Sequence, residues 1–153
     1  MKTLIICDSN HVGNTKKIAD VMAEELSAKV VVSSVVEAGA LGEYDLVGFG
    51  SGIYMGKHDK ALLSLVDKLP FGSGKKVFIF STSWTGIKQM EKNHEILRAK
   101  LQSKNYNIIG SFSCLGKAMF GPLKLFGGIN KNHPDAEEME LAKMFACGVG
   151  SEK

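Results

Sequence analysis

Thr3-Leu4-Ile5-Ile6-Cys7-Asp8-Ser9-Asn10-His11-Val12-Gly13-Asn14-Thr15-Lys16-Lys17-Ile18-Ala19 decides the fold. A short apolar run, Thr3 to Cys7, passes into a polar, glycine-bearing turn, and apolar residues then return at helical spacing as Ile18, Met22 and Leu26. A strand apolar on both faces, followed by a turn and an amphipathic helix, starts a βαβ unit. Further apolar runs follow at Val30 to Ser33, Tyr44 to Ser51, Val77 to Ser81 and Ile108 to Cys114. Helical spacing recurs between them, in Leu62, Val66 and Leu69 and again in Met90, Leu97 and Leu101. A last helix has Pro134 near its first turn, acids at Asp135, Glu137 and Glu138, and Met139, Ala142 and Phe145 on one face. The pattern predicts an α/β fold: a doubly wound, five-stranded parallel sheet with helices on both faces. Two connections depart from it. Ser34 to Glu43 is barely long enough for a helix, and Leu115 to His133 is a long, glycine-rich, partly apolar loop of the kind that carries function.

Composition agrees with this reading and narrows it. The chain has 153 residues, 44% hydrophobic and 23% charged, as expected of one folded domain spanning residues 1–153. Nineteen Lys and Arg against sixteen Asp and Glu give a net charge of +3, too mild to argue for nucleic acid. The cysteines, Cys7, Cys114 and Cys147, lack C-x-x-C spacing and are read as reduced, buried thiols. No run is long enough for a signal core or a membrane span, so a cytoplasmic protein is expected. His11, His58, His94 and His133 show no metal-ligand spacing and no clustered carboxylate. No Ser-His-Asp order is evident either, so neither a metal site nor a catalytic side chain is expected.

In open α/β sheets ligands bind beyond the carboxyl ends of the strands, and three loops there are unusual. Ser9, Asn10, His11, Val12, Gly13, Asn14 and Thr15 are short or polar enough for backbone N–H groups at a helix start to converge on a phosphate. The same residues also suit an ordinary capped turn. There is no G-x-x-x-x-G-K-[ST], and Gly48-Phe49-Gly50-Ser51-Gly52 misses the G-x-G-x-x-G spacing, which favours a mononucleotide over a triphosphate or dinucleotide. The second loop, Gly52, Ile53, Tyr54, Met55 and Gly56, and the third, Ser81, Thr82, Ser83, Trp84, Thr85 and Gly86, each set one large aromatic among small residues. Tyr54 and Trp84 are placed to sandwich a planar ring.

Together these pieces resemble the flavodoxins and flavodoxin-like FMN proteins over nearly the whole chain. Ser9 to Thr15 with Lys16-Lys17-Ile18-Ala19 looks like the family's phosphate loop and first helix, Tyr44 to Tyr54 like its third strand and flavin loop, and Val77 to Ser83 like its fourth strand and second flavin loop. The stretch Phe112 to Pro134 is similar to that of small bacterial and archaeal members. The resemblance implies non-covalent FMN as cofactor, the strand order 2-1-3-4-5, and the eighteen loop residues just named as its binding set. It also implies that Met55-Gly56 is the dipeptide whose peptide group flips when the flavin is reduced, a motion glycine makes cheap. The chain departs from the family pattern in three respects. The phosphate loop is one residue longer than S-x-T-G-N-T, Trp84 stands where glycine is usual, and the chain is mildly basic where flavodoxins are acidic.

The expected mouth carries Lys57, His58, Lys60, Lys88, Lys92, Lys117, Lys124 and Lys131 against Asp59 and Glu91. A lysine about 8 Å from a reduced, anionic flavin favours it by about 2 kcal/mol at an effective dielectric of about 20, so a less reducing flavin is expected. The favoured function is an electron carrier serving redox partner proteins, because the chain leaves little room for a separate substrate pocket. The alternative is an FMN-dependent NAD(P)H oxidoreductase passing electrons to a quinone or similar acceptor, which the basic mouth supports. A third reading is a fold used for protein contact, with FMN binding lost through Trp84 and the altered phosphate loop.

Overall fold

The computed structural model describes residues 1–9, 13–116 and 132–152. Strand β1 (Thr3–Asp8) leads to α1 (Asn14–Leu26) and β2 (Lys29–Val31), and β3 (Leu46–Tyr54) turns back into a two-residue β4 (Lys57–His58). Helix α2 (Lys60–Lys68), β5 (Lys76–Ser83), α3 (Met90–Ser103), β6 (Asn107–Leu115) and α4 (Ala136–Gly150) complete the order. The parallel strands are arranged β2-β1-β3-β5-β6, the expected 2-1-3-4-5 once the antiparallel β4 is set aside. The short second crossover holds no α-helix; two 3₁₀ segments, Ser33–Val35 and Ala38–Glu43, fill it.

Side-chain alternation along the strands divides the core in two. Leu4, Ile6, Val47, Phe49, Val77 and Ile79 pack with Leu62 and Val66 of α2 and Leu97 and Leu101 of α3. Ile5, Cys7, Phe78 and Phe80 pack on the other face with Ile18, Ala19 and Met22 of α1 and Ala142, Ala146 and Val149 of α4. Gly48 and Gly50 have a steric origin within this second layer. A Cβ at Gly48 would lie 2.3 Å from the Phe78 ring, and one at Gly50 would lie 2.2 Å from the Phe80 ring. The two phenyl rings thus lie across the bare backbone of β3. Their glycines serve packing, which is why the spacing failed as a nucleotide fingerprint.

The strands at the site run further than the sequence suggests. Gly52, Ile53 and Tyr54 extend β3, and Ser81, Thr82 and Ser83 extend β5. The β3–β4 turn shrinks to Met55 and Gly56, with φ of 53° and 78°. Positive φ at both central residues matches the twist of the flanking strands in a tight hairpin.

Gly50→Ala is expected to destabilise the protein by about 1–3 kcal/mol through overpacking against Phe80. Phe80→Leu in the same chain should restore part of the loss, as measured by urea denaturation.

Candidate functional site

The register sets the ends of three strands side by side. Asp8 pairs with Ser51, Ser51 with Ser81, and Gly52 with Thr82, so the segments after β1, β3 and β5 emerge at one edge. In the first segment, Asn10, His11 and Val12 lie outside the described residues. Gly13 is in the left-handed region at the start of α1 and gives the helix no side-chain cap. Ser9 Oγ reaches the Lys16 N–H at 3.4 Å. Thr15 is buried and turned inward, its hydroxyl 2.7 Å from that of Thr82 on β5. The Asn14 amide lies under Gly116, where a Cβ would come within 2.9 Å of Nδ2.

The helix starts differ in charge. The α2 start is capped by Asp59, whose carboxylate accepts from the Ala61 N–H at 2.8 Å. The α4 start has a full capping box between Asp135 and Glu138. The α1 start has no acid in its first turn and no side-chain cap, and Lys16 and Lys17 occupy that turn. Cations at a helix N-terminus oppose the macrodipole, whereas an anion is favoured there. The three segments contain no Asp or Glu, so a phosphate and a ring with polar edges fit the donors present.

The two aromatics differ in setting. Tyr54 folds back over β3, its hydroxyl 2.7 Å from where a Gly52 Cβ would stand. Trp84 is 58% exposed and Met55, at the tip of the turn, 99%. The Ser83 hydroxyl accepts from the Gly86 N–H at 2.9 Å and lies 3.2 Å from the Thr85 hydroxyl, which shapes the third segment. An apolar cavity of about 740 Å³ opens beside Trp84, lined among others by Ile87, Met90, Phe112, Leu115 and Leu141. The cavity shares Trp84, Thr85 and Gly86 with the third segment. Its lining comes from the segment after β5, from β6 and from Glu138 and Leu141 of α4.

Other expectations need correction. His58 does not belong to the positive mouth: it is 1% exposed, and burial together with the nearby His94 holds it well below the usual imidazole range. His94 is likewise buried, and desolvation with the Arg98 charge lowers it to about 4. The rings of the two lie 4.9 Å apart. Sequence reasoning missed this pair because His58 and His94 are far apart in the chain; β4 and α3 bring them together. His133 does have clustered carboxylates, bonding to Glu138 and lying 3.6 Å from Asp135. Their oxygens also cap α4, however, Asp135 accepting from the Glu138 N–H at 2.9 Å and Glu138 from the Asp135 N–H at 3.2 Å, and Glu138 also accepts from the Leu115 N–H of β6 at 2.7 Å. Burial pushes the Cys7 thiol up to about 12 and raises that of Cys114, but Cys147 is exposed. Lys57, Lys60, Lys88 and Lys92 are exposed, and Lys117, Lys124 and Lys131 lie outside the described residues.

A parallel, doubly wound sheet whose β1, β3 and β5 end at one edge, with α1 starting after β1, defines a flavodoxin-like architecture. The chain belongs to the flavodoxin-domain family, whose model matches residues 4–117. It is 46% identical over 150 residues to an uncharacterised protein of Methanocaldococcus jannaschii, an alignment covering 97% of this chain and 98% of that one. It is 29% identical over 172 aligned positions to the flavodoxin-like domain-containing protein BilS of Clostridioides difficile, covering 95% and 94%. Its fold matches oxidised flavodoxin 2 of Bacillus cereus with a TM-score of 0.72 at 20% identity, covering 97% of each chain. No helix among the described residues is long and apolar enough to cross a membrane.

The lowered histidines tie stability to pH. His94 folds with its value near 4 from an ordinary 6.5. Its contribution is complete above pH 6.5 and is lost as pH falls toward 4, because the unfolded chain then binds the extra proton. The loss from His94 should approach about 3 kcal/mol across that window, with His58 acting in the same direction. Urea titrations at stepped pH should show this slope, flattened in His94→Gln.

Proposed function

We propose that the protein is an electron carrier that binds FMN non-covalently at the edge formed by β1, β3 and β5, as one binding unit over residues 1–153. The observation that carries this is the start of α1: a helix N-terminus at the end of the first strand with two lysines, no acid and a glycine, which offers no side chain, at its N-cap. That arrangement is electrostatically unfavourable alone and favourable with a phosphate dianion. When bound, FMN supplies one- and two-electron redox chemistry. The chain's own groups do the rest. Ser9, Gly13, Asn14 and Thr15, with Asn10, His11 and Val12 of the same loop, hold the phosphate. The β3 end from Gly52 to Gly56 and the β5 end from Ser81 to Gly86 hold the ring, with Tyr54 and Trp84 covering it. No side chain is assigned an acid or base role. The exposed lysines favour added negative charge at the ring and suit redox partner proteins with acidic faces. A cytoplasmic location accords with the reduced thiols.

The apolar cavity beside Trp84 favours a second reading. An acceptor such as a quinone fits it, with NAD(P)H as electron donor, and the chain would then be an FMN-dependent oxidoreductase.

Three measurements test these readings. The purified protein should be yellow, and apoprotein should quench added FMN. Lys17→Glu, at an exposed position, should weaken FMN about tenfold while leaving riboflavin unchanged and the apoprotein no less stable. Equal effects on both ligands, or no FMN affinity at all, overturn the carrier reading. The isolated holoprotein should not turn over NADPH with a quinone; turnover that Leu141→Trp suppresses by filling the cavity would put the oxidoreductase first.

A further inference from the structure

The sheet face toward α2 and α3 changes character in its last layer. Leu4, Val47 and Val77 stand in register, then Ile6, Phe49 and Ile79, all apolar. The next row is Asp8, Ser51, Ser81 and Ser113. Above it lie the imidazoles of His58 and His94, 1% and 0% exposed. Apolar residues there would extend the core at lower desolvation cost, so a row of three buried serines beside a half-buried Asp8, under three ligand-facing segments, calls for a role.

Counting hydrogens fixes how the two rings are used. The Ser81 hydroxyl donates to Ser113 Oγ at 3.0 Å, and Ser113 donates to the Gly86 carbonyl at 3.4 Å. Ser81 has no second hydrogen, so His94 must donate through Nε2, 2.7 Å away. The Ser51 hydroxyl donates to the Gly52 carbonyl at 2.7 Å and accepts from the Asp59 N–H at 2.9 Å. His58 therefore donates to it through Nδ1, at 3.0 Å. The remaining ring nitrogens, His58 Nε2 and His94 Nδ1, are buried and find no hydrogen-bond partner among the described residues. Each is a bare acceptor, so neither ring can satisfy the other, and the two are neutral in opposite tautomers. The charged groups carried by the packed elements are Lys57 on β4, Asp59 and Lys60 at the α2 start with Asp67 and Lys68 at its far end, and Glu91, Lys92, Glu95, Arg98 and Lys100 on α3. Arg98 is ion-paired to Glu91 at 2.9 Å. Asp8 Oδ1 is held by the Ser33 N–H at 3.0 Å.

We infer that His58 and His94 are positioning residues for the flavin ring, donating to Ser51 on β3 and Ser81 on β5 and, through the contact of their tilted rings 4.9 Å apart, locking the β3–β4 turn to the segment after β5. The inference rests on the FMN reading above. Through Ser51, His58 ties both ends of the turn that holds Tyr54, Met55 and Gly56. Through Ser81 and Ser113, His94 reaches Gly86, whose N–H is held by Ser83. Among the described residues the phosphate segment takes no part in either chain of bonds, so the pair is expected to act on ring binding.

The test separates ring from phosphate and tautomer from bulk. Nitrogen-15 NMR of the apoprotein at pH 7.5 should show His94 protonated at Nε2 and His58 at Nδ1. His94→Gln and His58→Asn keep a donor in the same place and should bind riboflavin within threefold of wild type. His94→Phe and His58→Phe should weaken riboflavin at least tenfold and inorganic phosphate less than twofold. Phe variants that bind riboflavin normally, or the opposite or charged imidazole states, overturn the inference. Should the Phe variants fail to fold, Ser51→Ala and Ser81→Ala take their place with the same expected split. A wild-type protein that binds no flavin overturns the FMN reading and this role together, whereas normal flavin binding with unaffected Phe variants overturns this role alone.

Discussion

The in-register pairing of Asp8 with Ser51 and of Ser51 with Ser81 is the constraint from which the site follows. Parallel strands that end at one level must release their connections at one edge, because each crossover helix returns the chain to the opposite end of the sheet. Three connections meet there only if β1, β3 and β5 are adjacent and of matched reach. Adjacency in turn depends on β3 lying beneath the phenyl rings of Phe78 and Phe80, which Gly48 and Gly50 allow. A Cβ at either glycine would push the rings off the strand and disturb the packing of α1 and α4 above them. Core packing on one face thus sets the geometry of an edge several residues away.

The fold was legible because its signals are local. Strand runs apolar on both faces and helices of amphipathic spacing are readable residue by residue, and the short stretch from Ser34 to Glu43 had room for a short or irregular helix at most. Strand ends were harder. Gly52 to Tyr54 and Ser81 to Ser83 look like loop by composition, yet cross-strand pairing and the hairpin with β4 extend both strands through them. Cooperative pairing outweighs the low strand preference of glycine and serine. The family was legible from the combined pattern, and its model matches most of the chain.

The candidate site was legible only where it consists of sequence neighbours. Gly13 to Thr15 could be read as a helix start, but not that Thr15 turns inward to Thr82, since that contact joins α1 to β5. His58 read as one more positive residue among lysines, although its ring is taken into the core by a strand of two residues. The cavity beside Trp84 is lined from three separate stretches, residues 84–90, 111–115 and Glu138 with Leu141, which no motif encodes. Each miss is a long-range contact, and each concerns a side chain whose chemistry changes when water is removed.

The apolar face of the edge and its charge bear on function in different ways. Lysines around an open edge act at a distance and favour encounter with anionic partners, whether an acidic protein or a phosphorylated nicotinamide, so charge alone does not separate carrier from oxidoreductase. A carrier needs an exposed ring edge and contacts that release quickly; Met55 and Trp84, both exposed on adjacent strand ends, offer that. An oxidoreductase needs its acceptor held long enough for transfer, and only an enclosed apolar surface does that. The cavity lies toward β6, on the Trp84 side and away from Tyr54. A small acceptor seated there would approach a ring at this edge from the Trp84 side, leaving the Met55 side open to a protein. The two functions would thus draw on different flanks of the same site, and the side chain that divides them is Trp84.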